Sequence, residues 1–340
     1  EVGHNFFPMI INSDERQWTW MDEGLNTFVQ YLTEQEWDSN FTSRRGEPAM
    51  IVPYMRSDAD QMQPIMTNSE QILQFGNNAY GKPATALNIL RETVMGRELF
   101  DYAFKEYARR WAFKHPKPAD FFRTMEDASG VDLDWFWRGW FYTTDAVDQD
   151  LASVEWFQVD AQDPEVTKAE ARAAYKESRN TMAVKRNKTD IPVTVEGAQE
   201  RYQDFYTTYD PYKVTLKDKA KFDRYKNRIS DEEKALIGNG INYYALTIKN
   251  NGMVMPVIVK MEFEDGTDEV VRFPAEIWRK NAEEITKTIP SAKKVVKFTL
   301  DPFHEIADID TGNNTFPKAP EQPSRFQIYK KKKVKKPNPM

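Results

Sequence analysis

The sequence predicts an α+β multidomain protein: a mainly helical lobe, a charged connecting segment, and a small β-sandwich domain. Three observations carry this. Apolar residues from 21 to 141 recur at spacings of three and four, the mark of amphipathic helices. Residues 150–240 are dominated by charged runs, and residues 241–316 hold short β-rich runs broken by the turn signals "NNG" and "EDGT". The expected parts are therefore 1–148 (helical), 149–240 (connecting), 241–316 (sandwich) and 317–340, a Pro- and Lys-rich tail expected to be disordered.

Taken in order, residues 1–35 read as helix, loop, helix. The second helix, "MDEGLNTFVQYLTEQEW", places Leu25, Phe28, Val29 and Leu32 on one face. Residues 40–66, interrupted by Pro and Gly, read as irregular. From Ser69 to Phe141 the pattern is helical almost throughout: Ala86, Leu87, Leu90 and Val94 precede a stop at Gly96, the same spacing returns over 97–113, and a Pro-marked start opens 116–130. The aromatic run "DLDWFWRGWFYT" (132–143) is expected to close a core. "ASVEWFQV" is strand-like and is followed by short charged helices. After the turn signals, "KKVVKFTLDP" adds a further strand.

Composition narrows the functional classes. The 340 residues carry a net charge of −6, which gives no broad electrostatic reason for nucleic acid or an anionic membrane as partner. No cysteine is present, so disulfides and thiolate metal sites are excluded. No apolar run approaches the ~18 residues of a membrane span. The run "KKKKVKK" (330–336) reads as a solvated basic stretch.

The chain opens on "EVGHNFFP". With one His in front it would read H-E-x-x-H, a helix that presents two imidazoles to zinc with a Glu as general base. A bare E-x-x-H is common, but after eighteen intervening residues His4 is followed by Glu23, inside "WTWMDEGLN". A carboxylate ligand at that interval completes a His, His, Glu set with one open position. His115, in the loop "FKHPKP", and His304, in the turn "DPFHEI", have no helical spacing to either residue.

"EVGHNFFPMIINSDERQWTWMDEGLNTF" resembles the zinc segment of the aminopeptidase N family, whose signature is H-E-x-x-H, eighteen residues, then E within W-x-N-E-G. Further on, "NNAYGKPATALNILRETVMG" resembles that family's Y-x-K-G-A context, with Pro83 in place of Gly, and "DLDWFWRGWFY" resembles the end of its catalytic domain. The likeness is specific over 1–145 and looser to 316. It implies a thermolysin-like catalytic domain whose helical part is present here, one Zn2+ ion, and peptide substrates. His4 and Glu23 would be metal ligands, Glu1 the general base, and Tyr80 the phenol that steadies the oxyanion. Two departures are Gln30, where the family has Glu, and Asp22, where it has Asn. The G-x-M-E-N motif that captures a substrate's amine does not occur.

On this resemblance the chain begins inside the zinc motif. The first His ligand would lie in a missing N-terminal part, its partner in forming the site, and the chain alone is expected to be inactive. Alternatives are a non-catalytic scaffold or binding relative, or a related zinc hydrolase of glycyl aminopeptidase or epoxide hydrolase type. A peptide-scavenging role and the absence of Cys lean toward an exported protein.

Overall fold

Helix α1 (Glu23–Trp37) is the spine of the helical lobe in the computed structural model, which describes residues 1–237 and 240–318. It buries Leu25 and Phe28 completely, as its spacing requires. Around it lie α2 (Pro48–Met55), α3 (Lys82–Ile89), α4 (Arg97–Trp111), α5 (Pro118–Ser129) and the short α6 (Asp134–Trp137). Helix and sheet are thus both present, and two local expectations change. Residues 40–66 contain a helix, α2, which starts on Pro48, where a missing N–H costs nothing, and turns Ile51, Tyr54 and Met55 inward. Pro53 inside it is what hid it. The opening stretch is not a regular helix: a tight turn at Val2–Asn5 passes into a wide turn at Phe6–Ile10. Pro8 drives the residue before it out of the helical region, and Phe7 sits at φ −125°, ψ 106°.

The aromatic run closes the core. Phe136, Trp137, Trp140 and Phe141 are buried with Trp20, Phe121 and Phe122. Phe121 stands at the centre, edge-on to Tyr107 (4.8 Å), Trp20 (5.8 Å) and Trp137 (5.8 Å).

One sheet orders β1 (Gln149–Phe157), β2 (Asn242–Asn250) and β5 (Glu284–Ser291). The other orders β4 (Asp268–Phe273), β3 (Val257–Phe263), β6 (Val295–Leu300) and β7 (Thr315–Phe316), with antiparallel neighbours. The segment from 149 therefore opens with a sheet strand before its charged helices. Alternation fixes the register: Tyr244, Leu246 and Ile248 of β2 share a core with Val257, Val259 and Met261 of β3. Ile258, on the opposite face of β3, joins the helical core with Met253 and Met255. Trp140 donates its indole N–H to Met255 Sδ (3.4 Å), and Gln149 donates to the carbonyls of Met255 and Pro256. Residues Glu1–Trp156 and the chain from Tyr244 form one compact unit.

Within this unit Asp308 is buried and accepts from the N–H groups of Gln149 and Asp310 and from the Asn314 amide. Burial outweighs those bonds and pushes its carboxyl from the ordinary 3.8 up to about 6. A group that holds its proton more tightly when folded loses stability for the fold as pH rises from about 4 to about 6. Asp308→Asn removes that loss because an amide does not ionise; Asn314, whose Oδ1 has no partner, can turn to accept from the new NH2 group, while one backbone N–H loses its acceptor at every pH. Relative to wild type, the variant's stability from urea midpoints should improve between pH 4 and pH 7 by the equivalent of about 1–3 kcal/mol. Equal shifts at both pH values would show that ionisation is not the cause.

The second unit is Phe157–Tyr243. Its helices, among them Pro164–Ser178, Met182–Asp190 and Leu216–Lys226, bury no residue. Side-chain caps from Asp163, Thr181 and Thr215 hold their first turns. Lys168 pairs with Asp218 (2.6 Å) and Arg172 with Asp210. Among the described residues no helix is long and apolar enough to cross a membrane. The tail expectation, with its Lys-rich run, falls from residue 319 onward outside the described residues.

Candidate metal centre

Three separate stretches of chain meet at Glu23, the first residue of α1. His4 comes from the opening turn, Tyr80 from the wide turn Gly76–Gly81 that leads into α3, and Asp22 directly precedes Glu23. Tyr80 donates its hydroxyl to Glu23 Oε1 (2.5 Å), and His4 Nε2 lies 3.5 Å from Glu23 Oε2. Gly24 makes the approach possible. A Cβ there would stand 2.7 Å from Pro83 Cγ and 3.1 Å from the Ala79 carbonyl. The contact sets α1 against the start of α3, and so sets Glu23 against Tyr80.

The imidazole is oriented by what surrounds it. His4 Nδ1 lies 2.8 Å from the carbonyl of Phe7, which can only accept, so Nδ1 carries a proton and points away from any ion at Nε2. Nε2 in turn faces the Asn26 amide (3.2 Å). Asp22 Oδ1 is also 2.8 Å from Nδ1, without the alignment of a hydrogen bond. Donor atoms of His4, Asp22 and Glu23 lie within 4.8 Å of one another. An imidazole with carboxylates is a donor set that suits Zn2+. A second acidic group, Glu126, Asp132 and Asp134, has no imidazole, and Glu126 already accepts from the Leu133 N–H.

Burial pushes the Asp22 carboxyl up to about 6, Glu23 adds to the rise, and His4 opposes it. The Tyr80 phenol is held well above its usual range, first by burial and then by its hydrogen bond to Glu23. It is a proton-bearing donor at any neutral pH. Residues 1–140 match the peptidase family M1 domain. This stretch is what the chain shares with that family. Over 142 residues the chain is 25% identical to glutamyl aminopeptidase of Sus scrofa, covering 39% of this chain and 15% of that protein. It is 27% identical over 139 residues to aminopeptidase M1-B of Oryza sativa subsp. japonica (38% and 15%), and 22% over 152 residues to aminopeptidase N of Streptomyces lividans (42% and 18%). The chain thus spans less than a fifth of the length of these relatives. Among solved structures, Legionella pneumophila aminopeptidase A in complex with aspartic acid aligns with 85% of this chain and 23% of its own, at 12% identity and a TM-score of 0.45.

Of the site residues read from sequence, the M1 part brings His4, Glu23 and Tyr80 together. Glu1 is exposed and makes no side-chain hydrogen bond or ion pair among the described residues. Gln30 is exposed too and donates to Glu34 (2.7 Å), so this departure from the family pattern does not touch the centre. His115 hydrogen-bonds the Asn12 carbonyl (3.1 Å), away from His4. Sequence reasoning missed Asn26, whose place one turn along α1 from Glu23 was the available signal. It also missed Arg45, whose guanidinium carbon lies 4.6 Å from the centre of the Tyr80 ring. No motif pointed to Arg45.

Proposed function

We propose that the M1 part of this chain is the metal-binding and oxyanion-binding portion of a zinc-dependent aminopeptidase, an enzyme that hydrolyses the N-terminal residue from peptides. The observation that carries the reading is the meeting of His4, Glu23 and Tyr80 from three separate stretches, with His4 Nε2 3.5 Å from Glu23. The restriction to N-termini comes from the family resemblance and from the names of the relatives. Zinc held by His4 Nε2 and Glu23 would supply a Lewis acid to the scissile carbonyl.

The chain's own groups then divide the remaining work. Glu1 takes the proton of the attacking water and returns it to the leaving amine. Tyr80 keeps its proton and donates a hydrogen bond to the oxygen that gains charge, a contact that strengthens as the reaction proceeds. The Phe7 carbonyl fixes the His4 ring. These 340 residues offer two of the three protein ligands that the resemblance implies, so the chain by itself should bind zinc weakly and be inactive.

The chain has only three His, which makes the test direct. In ¹⁵N spectra of the imidazoles, added Zn2+ should perturb His4 and leave His115 and His304 unchanged. Equal response at all three, or none at His4, overturns the zinc reading. Chelator-sensitive hydrolysis of aminoacyl-arylamides by the purified chain would overturn its inactivity.

A further inference from the structure

We propose that Arg45 is a specificity-determining residue that receives a carboxylate of the substrate beside Tyr80; the inference rests on the peptidase reading of that centre. Arg45 lies on an anchored loop. Before it, the buried Ser43 hydroxyl donates to Glu34 (2.6 Å) and accepts from Gln35 (3.0 Å). After it, Gly46 holds φ +109°, its carbonyl accepts from Asn88 (3.0 Å), and a Cβ there would strike the Tyr31 ring at 2.5 Å. Between these two fixed points the Arg45 side chain reaches the face of Tyr80, whose edge is backed by Phe75.

The charges are informative. The ionised groups that act on the Tyr80 phenol are the carboxylates of Glu23 and Asp22, and Arg45, which opposes them. An acidic substrate entering here would meet two carboxylates, and Arg45 is the cation placed to offset them. A contact with an aromatic face leaves a guanidinium's N–H donors available. Arg45 also has no carboxylate within ion-pair distance among the described residues. Arg91 and Arg97, by contrast, spend their donors on Asp101 and Glu92. A planar fork with free donors, held in place and next to the candidate oxyanion donor, is suited to bidentate recognition of a carboxylate. The source of that group is the side chain of an acidic first residue or the C-terminus of a short peptide.

The test uses the 340-residue chain without metal, so that it stands apart from the zinc experiment. The Arg45 Nε–Hε resonance, assigned by its loss in Arg45→Gln, is followed against four probes. Glutamate α-amide offers only a side-chain carboxylate, with glutamine α-amide as its neutral partner. Glycylglycine offers only a C-terminal carboxylate, with glycylglycine amide as its neutral partner. A saturable shift is expected with a carboxylate probe and not with its neutral partner, and which probe binds identifies the source. In the variants, which lack that resonance, binding is followed on the backbone amide of Gly46; it should weaken about tenfold or more in Arg45→Gln and return in part in Arg45→Lys. If neither carboxylate probe moves the resonance, or if Arg45→Gln binds as well as wild type, the proposal is overturned.

Discussion

Glu23→Gln is expected to raise the zinc concentration that perturbs the His4 ring by on the order of 100-fold or more, the upper end of what loss of a mere supporting contact costs. The substitution keeps the size of the side chain and an oxygen that can still accept from Tyr80, so the join between α1 and α3 survives. What disappears is the negative charge, and with it the ligand. The same change should bring the Tyr80 pKa down toward the ordinary tyrosine range, since burial, the larger cause of its rise, stays while the Glu23 carboxylate that adds to it is gone. Glu34→Gln serves as a control on the same helix, eleven residues on. A zinc titration of Glu23→Gln that overlays wild type would show that His4 binds metal without this carboxylate.

The largest loss of stability is expected from Phe121→Ala, about 3–5 kcal/mol. Total stabilities run to about 5–15 kcal/mol, so this single truncation removes a large share. Phe121 is fully buried, and Tyr107, Trp20, Phe122 and Trp137 all pack on its ring. None of them can collapse into the space without leaving another partner. The urea midpoint should fall, and the near-ultraviolet circular dichroism of the tryptophans should weaken as Trp20 and Trp137 lose their neighbour. Trp37→Ala is the reference: that ring is 86% exposed, and its removal should cost under about 0.5 kcal/mol. Comparable losses in the two variants would mean that the aromatic cluster does not hold the lobe together.

The residues legible in the sequence are those whose spacing the chemistry constrains. His4 and Glu23 stand at a fixed interval, and Tyr80 sits in a short local motif, so a single chain reveals them. Helix α1 was equally plain, because Leu25 and Phe28 must share a face. Arg45 left no such trace: it reaches Tyr80 from a loop without periodicity, and its place depends on Ser43 and Gly46, whose partners Glu34, Gln35 and Asn88 lie on other elements. Pro53 obscured α2 because a Pro beyond the first turn removes a helical hydrogen bond and ordinarily ends a helix, whereas α2 runs only two residues past it. The opening turn went the other way. Its ligand spacing suggested a helix, but Pro8 sets the backbone of Phe7 whatever metal the residues hold.

The seam around Met255 has a consequence for how the chain can be divided. Residues 1–140 carry the family likeness, yet the apolar floor beneath their aromatic run is completed by Met253, Met255, Ile258, Ile306 and Ala307, from a stretch beyond the match. A gene rearrangement that moved the matched segment alone would leave that floor bare to water. The folding unit is therefore larger than the recognisable one: the helical core is closed only once residues 253–307 have joined it.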